Sequence, residues 1–197
     1  MSKILYLISF ILATYTVQAH YYLTSINGKS QCRRKLFDPL TYNDMSPLTK
    51  EDFGTEAMIC NKLGMTPAPE TCPIAAGEAV ALKWTLASHL GPCAVYLAPA
   101  ASQGKGDVWF KIFDLGFKGG KWCSQVVEAD GNTMRFTIPA GIPSGKYILR
   151  ADLTGFHIPK DPQVYGTSHS PCLSIFTLTP HGSRLLRRGD SEFGQSN

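Results

Sequence analysis

An antiparallel β-sandwich with long connecting loops is the fold class this sequence predicts, and three observations predict it. Short segments alternate apolar and polar residues with a period of two. Glycine and proline punctuate the gaps: Gly91-Pro92, Gly119-Gly120, Gly131, Pro139, Pro143 and Gly145. The six cysteines, Cys32, Cys60, Cys72, Cys93, Cys123 and Cys172, are an even set with no C-x-x-C pair. In a secreted chain they read as three disulfides rather than a zinc site.

The strands follow in order. "EAVALKWTL" (78–86) places Val80, Leu82, Trp84 and Leu86 on one face. "CAVYLA" (93–98), "DVWFKIF" (107–113), "TMRFTI" (133–138), "GKYILRADL" (145–153) and "CLSIFTL" (172–178) keep the same period. "HYYLTSI" (20–26) adds a strand at the start. Many short strands at this spacing suit a sandwich. The stretch from Asp38 to Met65 is long and irregular, with a short helix expected around Leu48 to Phe53. From Pro180 onward periodicity is lost, and 180–197 reads as a disordered basic tail.

The chain opens with Lys3 and then the apolar run 4–13, too short to stay in a bilayer. Val17 and Ala19 have the small-residue spacing of a signal-peptidase site. Residues 1–19 therefore read as a signal peptide, and the mature chain is expected to begin at His20 and to be secreted. Removing nineteen of 197 residues leaves 178, one domain's worth. It lowers the net charge from +4 to +3, because Lys3 goes with the signal. That charge is too mild to argue for nucleic acid, and no further apolar span argues for a membrane.

A histidine at the first position offers an α-amine and an imidazole that can chelate one metal ion. The amine's ordinary pKa is about 8, so a metal displaces its proton at neutral pH. A tetragonal nitrogen set of this kind favours Cu(II). His89, in the turn "LASHLGPCAVYL", projects from the same kind of edge and could complete three nitrogen ligands. The spacing alone leaves open an ordinary exposed or hydrogen-bonded turn histidine.

Several segments in order resemble the fungal lytic polysaccharide monooxygenases of auxiliary activity family nine, formerly glycoside hydrolase family 61. "SHLGPCAVYLAPA" resembles that family's S-H-x-G-P-x-x-x-Y-L. "VWFKIFDLGFKGGKWC", "IPAGIPSGKYILRADLTGFH", "MICN" and "CPIAAGEAVALKW" match further segments in register, and His20 falls at the family's first residue. The similarity covers 20–179, the expected monooxygenase-like domain.

The resemblance implies an immunoglobulin-like sandwich, one copper ion held by His20 and His89, and three partners: a cellulose-like β-1,4-glucan, O2 or hydrogen peroxide, and an external electron donor. It implies oxidative chain cleavage at C1 or C4 by a monomer. His157 matches the family's histidine that donates a hydrogen bond beside the copper without binding it. The resemblance also implies the disulfides Cys60–Cys172 and Cys93–Cys123, and with them Cys32–Cys72. Arg150 is expected only as a partly buried charge. Tyr21, Tyr22, Tyr42 and Phe156 are aromatic residues that could meet a polysaccharide surface, or could equally be core.

One part departs from the family, whose last motif is Q-x-[FY]-x-x-C. Counting back from Cys172 puts His169 at the aromatic position and Thr167 at the glutamine position. "QVY" occurs instead at Gln163-Val164-Tyr165. In one register His169 is the axial group at copper. In the other, four residues are inserted after Tyr165, and Gln163 and Tyr165 keep the family's roles. The length from His157 to Cys172 favours the first register. The altered axial region also keeps open a copper-binding protein of this fold that oxidises no glycan. A metal-free adhesion or carbohydrate-binding sandwich is a third class, opposed by the paired histidines.

Overall fold

The structure is a computed structural model, and it describes residues 22–32, 48–60, 71–85, 89–156, 163–166 and 173–179. At 60, 163–166 and 173–178 it describes the backbone alone. The segments 1–19 and 180–197, with Tyr21, Tyr42 and Leu86, lie outside the described residues.

Two sheets form the sandwich. The smaller orders β1 (Leu23–Ile26), β3 (Ala79–Trp84) and β8 (Thr133–Thr137) as an antiparallel set. The larger has the path β2 (Cys72–Ala75), β11 (Leu173–Thr179), β9 (Gly145–Gly155), β4 (Cys93–Pro99) and β5 (Phe110–Leu115), with β10 (Gln163–Gly166) also pairing β9. A two-stranded hairpin, β6 (Phe117–Lys118) and β7 (Lys121–Trp122), stands apart. The sandwich departs from the all-antiparallel expectation at one place: β11 runs parallel to β2, Phe176 facing Cys72. The other pairings of this sheet, β11–β9, β10–β9, β9–β4 and β4–β5, are antiparallel.

The period-two reading places the core correctly. Val80, Leu82 and Trp84 are buried on one face of β3, and Met134 and Phe136 beside them on β8. Across the gap lie Cys93, Val95 and Leu97 of β4 and Leu149, Ala151 and Leu153 of β9. The alternation fails along β9, where Ile148 is buried on the outer face against Ile59, Ala100 and Trp109. Trp109, read as part of a strand, precedes β5 and donates from Nε1 to the Gly104 carbonyl at 2.9 Å. The helix expected near Leu48–Phe53 is a single 3-10 turn, Lys50–Asp52, followed by the α-helical turn α1, Ala57–Cys60.

Two disulfides lie within the described residues, Cys32–Cys72 and Cys93–Cys123. The expected Cys60–Cys172 pair lies outside them. Cys93–Cys123 ties β4 to the start of helix α2, Cys123–Ala129, which the sequence reading did not anticipate. The closed loop spans 30 residues of separation. Replacing both cysteines by alanine should cost about 2 to 4 kcal/mol, mostly through the freed unfolded chain. Paired urea melts of the protein and the double variant measure this.

Candidate functional site

The end of the sandwich is built around the turn that carries His89, which is half-buried. Gly91 holds this turn in place. Its N–H donates to Ser124 Oγ at 3.1 Å, and its carbonyl accepts from the Ser124 N–H at 3.2 Å. Ser124 is buried in the first turn of α2. On the other side, the Phe156 N–H donates to the Leu90 carbonyl and the Thr154 N–H to the Pro92 carbonyl, both at 2.9 Å. A Cβ on Gly91 would lie 1.6 Å from the Thr154 carbonyl oxygen, so only glycine lets the backbones approach this closely. The Gly-Pro pair is therefore a clamp between β9 and α2 as well as a strand boundary.

The chain start is tied to the same end. The Tyr22 N–H donates to Thr85 Oγ1 at 3.1 Å, and the Thr85 N–H donates to the Tyr22 carbonyl at 2.9 Å. These bonds extend the β1–β3 ladder one residue beyond Leu23 and Trp84. Tyr22 is half-buried.

On the far edge of β9, Gln163 faces Gly155 and Tyr165 faces Leu153. Cys93 of β4 faces the same Leu153 from the other side. The next pairing on that edge among the described residues is Leu173 with Leu149. From Gly166↔Asp152 to Leu173↔Leu149, β9 moves three residues and its partner chain moves seven. The ladder thus shifts register by four residues after Gly166.

His20, His157 and His169 lie outside the described residues. Among the described residues no cluster of three or more His, Cys, Asp or Glu could hold a metal. The residues that could serve a copper ion from the described set reduce to His89, with Gln163 and Tyr165 placed by backbone register. Among the described residues this end supplies one imidazole, His89, on a backbone-clamped turn, and an imidazole is a donor type that suits Cu(II).

Behind the turn, on the outer face of the large sheet, a cavity of about 400 Å³ is lined by Tyr96, Lys111, Asp114, Arg150, Asp152 and Thr154, among others. Arg150 Nε lies 3.2 Å from Asp152 Oδ2, with the two side chains only 12% and 13% exposed. Arg150 Nη1 donates to the Met58 carbonyl at 2.9 Å. Its guanidinium sits 4.6 Å from the Tyr96 ring centre and 4.9 Å from that of Trp109. Burial pushes the Asp152 carboxyl above its ordinary value, and the Arg150 charge opposes that rise. The expectation of a partly buried charge at Arg150 understated its partners.

Phe156, one of the four aromatics named from sequence, is 39% exposed beside this turn. It packs edge-on against Trp122, ring centres 5.4 Å apart, and Trp122 in turn meets Phe117 at 5.3 Å. Neither Phe117 nor Trp122 was singled out by sequence reading. They come from a hairpin whose neighbours are distant in the chain.

A family model and the curated relatives point to one family. The model of Auxiliary Activity family 9, formerly GH61, matches residues 11–174. An AA9 family lytic polysaccharide monooxygenase A from Aspergillus terreus is 29% identical over 157 residues, 74% of this chain and 42% of that protein. An AA9 family lytic polysaccharide monooxygenase B from Gloeophyllum trabeum is 34% identical over 142 residues, 62% of this chain and 55% of that protein. The chain thus spans about half the length of the curated relatives it matches. The fold matches that of Cel61B from Hypocrea jecorina, a glycoside hydrolase family 61 member, with a TM-score of 0.67 at 20% identity, over 84% of this chain and 83% of that one. CvAA9A matches equally, at 24% identity and a TM-score of 0.67, over 84% and 81%. With the sandwich and most of the sequence matched together, the chain belongs to Auxiliary Activity family 9.

Proposed function

We propose that this chain is a secreted, copper-dependent lytic polysaccharide monooxygenase that cleaves β-1,4-glucan chains by oxidation at C1 or C4. Residues 1–19 are its signal peptide, 20–179 its catalytic domain and 180–197 its tail. No helix among the described residues is long and apolar enough to cross a membrane.

The observation that carries the reading is the pairing of Tyr22 with Thr85, four residues before His89. His20 is two residues before Tyr22, which limits its Cα to about 7 Å from that of Tyr22. Cleavage after Ala19 would therefore leave a free α-amine and imidazole close to the end that presents His89. His20 and His89 would hold the copper, which supplies one-electron and O2 chemistry when bound. The clamped turn fixes His89, so little ordering is left to the moment of binding. His157 follows Phe156 directly and would serve as hydrogen-bond donor beside the metal, orienting an oxygen ligand without joining the donor set.

The four-residue register shift supports the reading in which Gln163 and Tyr165 keep the family's roles and the inserted residues follow Gly166. His169 is the other axial possibility. Partners of this activity are a cellulose-like polysaccharide, O2 or hydrogen peroxide, and an external reductant.

Copper titration followed by electron paramagnetic resonance tests the assignment on mature protein. His89→Ala should abolish tight copper binding. Tyr165→Phe should perturb the spectrum and His169→Ala should leave it nearly unchanged. The reverse result would place His169 on the axis. Incubation of the copper-loaded protein with cellulose and ascorbate should release oxidised oligosaccharides, detected by mass spectrometry. An intact copper spectrum with no such products would leave a copper-binding protein that is not an oxidase of this glycan.

A further inference from the structure

The hairpin beside the His89 turn carries an arrangement that solvation alone does not favour. Lys118 and Lys121 are directly opposed across β6 and β7, both exposed. Like charges in that position repel. The turn between them is Gly119-Gly120, both at positive φ (59° and 79°), so the two strands close as tightly as a hairpin can. The hairpin sequence "FKGGKW" contains no acid. Neither lysine has an ion-pair partner among the described residues, while other exposed lysines, Lys50, Lys105 and Lys111, do.

The same hairpin shows apolar rings to solvent. Phe117 is 61% exposed and packs on Trp122, which packs on Phe156. Leu90, 50% exposed, joins this ridge through the Phe156–Leu90 backbone bond. The ridge therefore runs from the lysine pair to the residue after His89.

It is also rigid. Cys123, next to Trp122, is bonded to Cys93, and its N–H donates to the Gly116 carbonyl at 3.2 Å. The Trp122 N–H donates to Gln125 Oε1 at 2.9 Å. A preformed surface loses little freedom on binding.

We infer that this hairpin is a binding site for an acidic, uronate-bearing polysaccharide. Carboxylates of the polymer would sit between Lys118 and Lys121 and relieve their repulsion. The apolar faces of its sugar rings would lie on Phe117, Trp122 and Phe156. An anionic membrane fits less well, because such surfaces are held by clusters of about four to eight basic residues, and only two are present here. This site stands independently of the copper. Given the proposed function, it would hold an acidic glycan alongside the His89 end as a second polysaccharide, beside the β-1,4-glucan that is cleaved.

The test is affinity electrophoresis of the secreted protein, without added copper, in gels containing polygalacturonate. The protein should be retarded, and about 0.5 M salt should abolish the retardation by screening. The Lys118→Gln/Lys121→Gln variant should bind about tenfold more weakly, and Phe117→Ala about fivefold. Lys29→Gln/Lys146→Gln removes the same charge from residues outside the hairpin and should bind as the parent does. Equal weakening by that control would show diffuse attraction and overturn the proposal. So would absence of retardation, or binding to phosphatidylserine vesicles without binding to polygalacturonate. Copper titration of the Lys118→Gln/Lys121→Gln variant should match the parent. If His89→Ala leaves copper binding intact while the hairpin result holds, the copper reading fails and this site stands.

Discussion

Gly91→Ala should be among the most damaging single substitutions in the domain, costing about 4 kcal/mol or more. The added methyl would sit 1.6 Å from the Thr154 oxygen and 2.7 Å from its carbonyl carbon. Both atoms are backbone within β9, which is paired on both sides. A flexible side chain could swing away, but a central strand cannot. Relief requires the turn to lift. That breaks the bonds from Phe156 to Leu90, from Thr154 to Pro92 and between Gly91 and Ser124. Losses of this size come from a few mechanisms, and backbone overlap in the core is one. A second effect follows for the site, because His89 rides on the same turn. Where enough folded Gly91→Ala protein can be recovered, its copper affinity should fall as well. Thermal unfolding by circular dichroism and copper titration measure the two effects. Parent-like stability would show that the turn is not clamped as described.

The importance of this glycine shows what one sequence reveals and what it hides. "GP" marked a strand boundary correctly, because local backbone preferences are properties of adjacent residues. Its clamping partner, Thr154, is 63 residues away, and no local signal names it. The buried faces of β3, β4 and β8 were legible for the same local reason: alternation is written into each strand. β9 escaped that rule because its outer face is also covered. Helix α2 was missed because seven residues make two turns, too few to establish a period of 3.6. The parallel β2–β11 pair depends on partner choice, which alternation does not encode. At the candidate site, His89 was legible as a turn residue, and sequence left the axial group in two registers. The chain length between His157 and Cys172 pointed to His169. The four-residue offset between the described pairs Gly166↔Asp152 and Leu173↔Leu149 is the observation behind the proposal that Gln163 and Tyr165 keep the family's roles.

Arg150→Met should destabilise the protein by about 3 to 5 kcal/mol at neutral pH, more than the loss of one ion pair at the surface. Three losses coincide. The Met58 carbonyl loses its donor, the Tyr96 and Trp109 rings lose the cation between them, and Asp152 keeps a buried charge without its counterion. The last loss gives the effect a pH dependence of known sign. Burial already holds the Asp152 carboxyl above its ordinary value, and Arg150 works against that shift. Removing Arg150 therefore raises it further. A carboxyl with a raised folded pKa contributes stability that is present below the unfolded value, about 3.9, and is lost as pH rises through the folded value. The penalty of Arg150→Met should accordingly be smallest at the acid end and grow towards neutrality. Adding Asp152→Asn to Arg150→Met removes the stranded charge, so the double variant should be more stable than the single at pH 7 and should lose most of the pH dependence. Urea unfolding of the three proteins across pH 4 to 7 reads out both statements. A single variant whose penalty is flat with pH would show that Asp152 does not bear the unpaired charge, and that the cost lies in the lost hydrogen bond and ring contacts alone.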